Sequence, residues 1–469
     1  METVTIRPIP GKAQNIDHKI FGSFIEHIEN CIQDGILEKE TGKFRQDVVE
    51  ICRNLKTAVL RFPGGTVTGI YHWEDDIGPL ESRKHRRNLT WGGMMEDRFG
   101  TAEFITFCRQ IGAEPMLCVN MPSGTPEEAA NWVEYCNGAG HTFYADLRRS
   151  HGYEEPFNVR YWCIGNESFS IPDLGMQDDV KTYTRQAWEF TKFMKMTDPE
   201  IELVFVGNIC SQEWNREIMD SLWEVCDFLS LHYYANSANA QLQLKELEEK
   251  HLPAVEQLLS EYNNRPIQID RWYRIPPRKH DTWIAMDEWN IWDGDPDGRS
   301  PYGVQQRYTW RDALWCGSFL SMLIRKCNTI RIANLAQLVN VLAPIIVEDG
   351  SVWKQTIYYP FALFSGNCGQ RYIPCETEHF GQMSIALSEN EKSCYLYIVN
   401  AEDQPKSLRL PYPADRIKIM QSDQPDMPNS MDREHVKVKD SQISGNNEAF
   451  IPPVSICLVY MPDMQTIPN

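Results

Sequence analysis

The stretch that decides the fold begins Pro115-Met116-Leu117-Cys118-Val119-Asn120, continues through Thr125-Pro126-Glu127-Glu128-Ala129, and closes on Val159-Arg160-Tyr161-Trp162-Cys163-Ile164. Its first and last parts are short apolar runs of the kind that form buried strands. Its middle has threonine, then proline at the first helical position, then glutamate at the third, which marks a capped helix start. That helix would bury Ala129, Trp132, Val133 and Cys136 and stop at Gly138. Strand, helix and strand in this order form the repeating unit of a parallel sheet.

The same rhythm extends in both directions, from about residue 20 to 345. Eight strands are expected, at 21–28, 58–62, 115–120, 159–164, 203–207, 228–233, 283–287 and 329–333. Phe44, Val48, Ile51 and Leu55 lie on one helical face, and 303–326 reads as another long helix. Eight alternations point to an α/β class (β/α)8 TIM barrel. A doubly wound open sheet is the competing architecture, but no GxGxxG turn follows the first strand. Beyond residue 365 the helical pattern gives way to apparent strands at 384–387, 393–399, 407–410, 416–420, 436–438 and 454–460, separated by Pro, Asp, Asn and Ser. The expected division is therefore a catalytic barrel over 15–365 and an all-β sandwich over 366–469. Residues 1–14 join the sandwich through a short N-terminal strand at 3–7.

A chain of 469 residues exceeds the usual size of one core and has room for both units. Its 42% hydrophobic and 24% charged residues exclude a disordered chain or a fibre. The net charge of −19 repels phosphate backbones, so no nucleic-acid partner is expected. No basic leader precedes an apolar core near Met1, and no apolar run is long enough to span a bilayer, so neither export nor a membrane partner is expected. The 14 cysteines are scattered, without a CxxC pair, as befits buried free thiols in a reducing cytoplasm.

Barrel chemistry sits where strands end, at the carboxyl face. Strand four runs into Ile164-Gly165-Asn166-Glu167 and strand seven into Met286-Asp287-Glu288-Trp289-Asn290. An isolated glutamate is most often a surface ion-pair partner. Two of them closing apolar strands on opposite sides of one mouth fit retaining glycoside hydrolysis, in which one carboxylate attacks while the other protonates the leaving oxygen. Other strand ends contribute Arg61-Phe62-Pro63-Gly64-Gly65, Asn120, His232-Tyr233-Tyr234 and Asn334-Leu335-Ala336-Gln337. Trp73, Trp91, Tyr234, Trp289 and Trp292 offer flat faces for sugar C–H groups, although each taken singly is more often core. No GxSxG elbow, P-loop or HExxH helix is present. Glu26-His27 with Glu29 lacks a second His or Cys at ligand spacing, so no metal site is expected.

These motifs resemble glycoside hydrolase family 51, the α-L-arabinofuranosidases. The resemblance runs from Phe21-Gly22-Ser23-Phe24-Ile25-Glu26-His27 through Leu60-Arg61-Phe62-Pro63-Gly64-Gly65, Trp73-Glu74-Asp75-Asp76-Ile77-Gly78-Pro79 and the two glutamate motifs. It continues to Ala336-Gln337-Leu338-Val339-Asn340 and Ile451-Pro452-Pro453-Val454. It implies Glu167 as acid/base and Glu288 as nucleophile, with Arg61 supporting the nucleophile. Glu26, Asn166, Tyr234 and Gln337 would contact the terminal sugar or position the nucleophile, and Thr66 and Trp292 would also face substrate. It further implies no cofactor, a carbohydrate substrate, a cytoplasmic location and a homo-oligomer, often a hexamer.

Three places depart from the family pattern. Thr66 stands where asparagine is usual, Met95-Glu96-Asp97 where Glu-x-Asn is usual, and Glu29-Asn30 replaces a glycine-containing loop. All three are expected near the substrate mouth. The reading is thus a retaining, exo-acting α-L-arabinofuranosidase acting on arabinan- or arabinoxylan-type oligosaccharides. The alternatives are a β-D-galactofuranosidase or an endo-β-glucanase using the same glutamates, and a non-catalytic carbohydrate-binding barrel.

Overall fold

The computed structural model describes residues 3–462 apart from 171–173, 178, 269–274 and 295–297. Eight parallel strands close a barrel in chain order: Gly22–Phe24, Val59–Phe62, Glu114–Val119, Tyr161–Ile164, Glu202–Val206, Phe228–Ala235, Trp283–Ile291 and Ile330–Leu335. The last pairs back onto the first. The closed barrel replaces the open-sheet alternative, and each strand overlaps its apolar run, although the first keeps only Gly22–Phe24 of the expected 21–28 and the seventh runs on past 287 to Ile291.

Side chains alternate between the helical shell and the barrel interior. On the second strand Leu60 and Phe62 join the shell, whereas Val59 points inward. The first strand crosses a crowded interior. A Cβ at Gly22 would lie 2.2 Å from Asn334 Oδ1 and 2.4 Å from Val59 Cγ1, so only glycine fits.

The seventh strand carries the decisive irregularity. Ser230 of the sixth strand pairs with Ala285, but His232 pairs with Glu288, so the seventh strand gains one residue over its neighbour. Such a bulge re-aims side chains. Consecutive Asp287 and Glu288 consequently both reach inward to Arg61.

Helices cover the barrel as their apolar spacing dictates. Helix Pro126–Asn137 begins with the Thr125 hydroxyl accepting the Glu128 N–H at 3.0 Å. Helix Gln46–Leu55 buries Val48, Ile51 and Leu55. The helix expected over 303–326 is shorter, Trp310–Arg325, because Thr309 and Asp312 form a capping box at its start. Residues before it turn toward the barrel mouth, where the Gly303 carbonyl accepts the Trp292 indole N–H. Every residue of this helix except Arg311 is buried, since it lies between the barrel and the second sheet.

That second sheet has nine strands. The expected strands 407–410 and 416–420 form one long strand, Lys406–Ser422, with register breaks between Arg409 and Arg416. Its first part pairs in parallel with Thr3–Thr5 and its last part antiparallel with Ser455–Pro462. A strand that turns a corner in this way folds a sheet over its own core. Met383, Ile385 and Leu387 face that core, while Ala386 between them faces the barrel side. The cysteines are all free, and only Cys210 is exposed. Among the described residues, no helix is long and apolar enough to cross a membrane.

Candidate active site

Arg61 is the centre of the mouth. Its side chain is 1% exposed and reaches three groups from the fourth and seventh strands. Nη1 donates to Glu288 Oε1 at 2.8 Å, Nη2 donates to Asn166 Oδ1 at 2.5 Å, and Nε lies 3.4 Å from Asp287 Oδ2. Tyr234 donates its hydroxyl to the other Glu288 oxygen at 2.8 Å. Two donors from different strands thus fix the plane of the Glu288 carboxylate.

Glu167 follows the fourth strand after Gly165 and Asn166, with a left-handed backbone (φ 39°) that turns it into the mouth. His232 Nδ1 donates to its Oε1 at 2.7 Å and lies 3.6 Å from Glu288 Oε2. One oxygen of Glu167, His232 Nδ1 and one oxygen of Glu288 all lie within 4.8 Å of one another. Retaining glycosidases hold their carboxyls about 5–5.5 Å apart and inverting ones about 6.5–9.5 Å apart. So close an approach of the two carboxyls fits the first kind. Among the described residues this same trio is also the one cluster spaced to hold a metal ion.

Electrostatics follow from burial and neighbours. Burial opposes charge on His232, yet Glu288, Asp287 and Glu167 outweigh it and hold its pKa well above the ordinary imidazole value. Burial acts against the Asp287 carboxylate too, but Arg61, His232 and the Ser230 hydroxyl at 2.6 Å bring its pKa below the usual range. Glu26 is different. Burial pushes its carboxyl up to about 7, despite hydrogen bonds from the Trp91 indole and the Val67 N–H at 2.8 Å each.

Glu26 stands across the pocket from Glu288, with Gly65 between them. A Cβ on Gly65 would come within 3.2 Å of Glu288 Oε1 and 3.4 Å of Glu26 Oε2, so glycine leaves room for the carboxylates. Gln337 Nε2 donates to Glu26 Oε2 at 3.1 Å. Thr66 opens the turn Thr66–Ile70 directly after Gly65 and is half-buried. Trp292 lies on the rim, 40% exposed, its ring edge-on to Tyr234 at 5.6 Å.

All nine expected site residues therefore come to one mouth or its rim. The departure at 95–97 engages its acids in local ion pairs. Arg98 engages Glu96 at 2.7 Å and His85 lies 2.7 Å from Asp97. Cys31 is fully buried and its thiol is pushed up to about 12 by burial, as suits packing. His27 is buried against Tyr71 and Phe62, outside any ligand cluster among the described residues.

Two participants, His232 and Asp287, were given no role by the sequence reading, and Trp91, expected as a flat face, instead donates a hydrogen bond to Glu26. His232 precedes Tyr234 by two residues and so shares its face, a signal that strand periodicity carries. Asp287 likewise shares the inward face of Ala285 two residues before it, whereas a regular strand would turn Glu288 outward.

A closed parallel barrel with two close carboxylates across its C-terminal mouth defines a retaining type of glycoside hydrolase. Comparison with known proteins narrows this. Residues 51–251 match the family model described as Alpha-L-arabinofuranosidase 1 domain, and 287–455 match the Alpha-L-arabinofuranosidase C-terminal domain. The chain is 36% identical to alpha-L-arabinofuranosidase C of Emericella nidulans, over 76% of this chain and 72% of that one. It is 35% identical to the intracellular exo-alpha-(1->5)-L-arabinofuranosidase of Acetivibrio thermocellus, over 75% and 73% of the two chains. The arabinose-complexed α-L-arabinofuranosidase of Thermotoga maritima superimposes with a TM-score of 0.85 at 28% identity, covering 99% of this chain and 100% of that one. The chain belongs to the glycoside hydrolase family 51 α-L-arabinofuranosidases.

Proposed function

We propose that this chain removes terminal α-L-arabinofuranosyl residues from arabinan- or arabinoxylan-type oligosaccharides by double displacement. The observation that carries the reading is the short Glu167–Glu288 separation, with Arg61 and Tyr234 orienting one carboxylate and His232 bonded to the other. Glu288 attacks the anomeric carbon while Glu167 gives its proton to the leaving oxygen, and the glycosidic bond breaks. Glu167 then takes a proton from water, which displaces Glu288 and releases the sugar with its original configuration. Glu26, Gln337, Asn166 and Thr66 supply the polar lining that grips sugar hydroxyls, and Trp292 supplies an apolar rim.

The names of the relatives support the arabinofuranosyl assignment, and that of the Acetivibrio protein supports exo action inside the cell. A cytoplasmic location and a homo-oligomer, hexameric in the family's common form, belong to the same reading. The test is a panel of aryl glycosides with wild type and Glu288→Ala. Wild type should prefer α-L-arabinofuranoside over β-D-galactofuranoside and over glucosides, and the variant should be inert. Equal rates on the galactofuranoside, or an active Glu288→Ala, would overturn the reading.

A further inference from the structure

The residues just before helix Trp310–Arg325 fail to extend it because they are tied elsewhere. The Ser300 hydroxyl accepts the N–H groups of Tyr302 at 3.1 Å and Val304 at 3.3 Å, which closes a compact turn. Glu29 holds both ends of that turn. The Ser300 hydroxyl donates to one of its oxygens, and Gln305 Nε2 donates to the other at 2.6 Å. Gln305 also reaches Asn30 Oδ1 at 3.3 Å. Glu29 sits in the left-handed backbone region (φ 42°), which favours glycine. A glutamate there is a strained choice for a turn, and its side-chain bonds are what it adds.

The tethered turn reaches two sides of the pocket. Tyr302 meets Trp91 edge to face at 5.3 Å, and its hydroxyl lies where a Cβ on Gly92 would approach within 2.7 Å. Trp91 in turn holds Glu26 through its indole N–H. On the other side the Gly303 carbonyl accepts the Trp292 indole N–H at 2.8 Å, and Trp292 packs against Tyr234, which holds Glu288.

We propose that Glu29 is a positioning and specificity-determining residue. By tethering 300–305 it sets, through Tyr302 and Trp91 on one side and Trp292 on the other, the width of the pocket that grips the terminal furanose. The proposal rests on the arabinofuranosidase reading. It assigns the chain's own departure, Glu29-Asn30, to substrate binding rather than to the chemical step, since Glu167 and Glu288 keep their partners without it.

The test compares Glu29→Ala, Glu29→Gln and Tyr302→Ala on an aryl α-L-arabinofuranoside, with thermal unfolding followed in parallel. Glu29→Ala should raise KM about tenfold while kcat changes less than about twofold, the signature of lost uniform binding. Glu29→Gln should return KM to within about twofold of wild type, because its amide still accepts from Ser300 and Gln305 can turn its own amide to match. Should Glu29→Ala fail to fold, Tyr302→Ala carries the same KM prediction, for its ring is 36% exposed and leaves no buried cavity. An unchanged KM in Glu29→Ala and Tyr302→Ala overturns the proposal, as does a fall in kcat that Glu29→Gln does not relieve. A wild type inert on the whole glycoside panel removes the functional reading, and this one with it. An active wild type beside an indifferent Glu29→Ala removes this one alone.

Discussion

The lower and upper tiers of the barrel interior use inward positions of the same strands and fill them with opposite chemistry. The lower tier is apolar: Val59, Met116, Tyr161, Val204, Phe228 and Ile332 are buried together. Two residues further along the second strand, four further along the sixth, and at the bulge of the seventh, the upper tier carries Arg61, His232, Asp287 and Glu288, each side chain no more than 8% exposed. Buried charges destabilise a fold unless each is paired and hydrogen-bonded. The lower tier supplies a rigid apolar floor, and the upper tier uses that rigidity to hold a charge arrangement that would not form unaided.

The largest effect should come from Glu288→Ala, which removes the proposed nucleophile and leaves the lower tier untouched. Hydrolysis of an aryl arabinofuranoside should fall by about ten-thousandfold or more, equivalent to about 5.5 kcal/mol of barrier. Circular dichroism should show an unchanged fold. Residual turnover near wild type would mean that the upper tier is structural. Glu167→Ala sharpens the same division between the carboxylates, since it should slow substrates with poor leaving groups much more than activated aryl ones. Equal losses on both kinds would contradict an acid role.

Arg61→Met tests whether the upper tier depends on its pairing. The substitution leaves two buried carboxylates with His232 as their remaining cation, so unfolding free energy in urea should drop by about 3–5 kcal/mol. A variant as stable as wild type would show that the charges are solvated after all. In the lower tier, Ile332→Ala should cost about 2–5 kcal/mol through the cavity it leaves, yet keep most of kcat/KM. A catalytic loss out of proportion to the stability loss would mean that the floor does more than support.

The same contrast explains what could be read from the residues alone. The eight apolar runs reported the barrel, because burial on both faces leaves continuous hydrophobic strands. Glu167 and Glu288 were legible because each closes such a run. Asp287 follows the inward face of Ala285, but that Glu288 joins it there depends on a one-residue bulge between the sixth and seventh strands, which no periodicity announces. Nor did the pattern at 303–309 reveal that those residues are not helical. Their helix-compatible spacing is overridden by Glu29, 271 positions away from Ser300. In the second sheet, two expected strands proved to be one because a bent strand keeps its alternation on either side of the corner.

The smallest effect concerns a carboxylate that the upper tier does not fully pair. Glu26 has its pKa raised by burial from 4.5 to about 7. Between those values the folded chain retains a proton that the unfolded chain releases, so this residue's contribution to stability falls as pH rises through that window and stays low above it. Glutamine carries no such deficit. It also fits: its carbonyl can accept from Val67 and Trp91, and the buried, unpartnered Gln337 Oε1 can turn to receive its amide. Glu26→Gln should therefore stabilise the chain by about 1–3 kcal/mol near pH 8 and change little near pH 4. Unfolding curves at the two pH values measure the difference. KM should rise at the same time, because glutamine gives up an acceptor that a sugar hydroxyl would use. A shift of equal size at both pH values would show that Glu26 titrates alike folded and unfolded. The pocket would then be paired as fully as the Arg61 cluster, and the contrast between the tiers would be one of composition without a cost in stability.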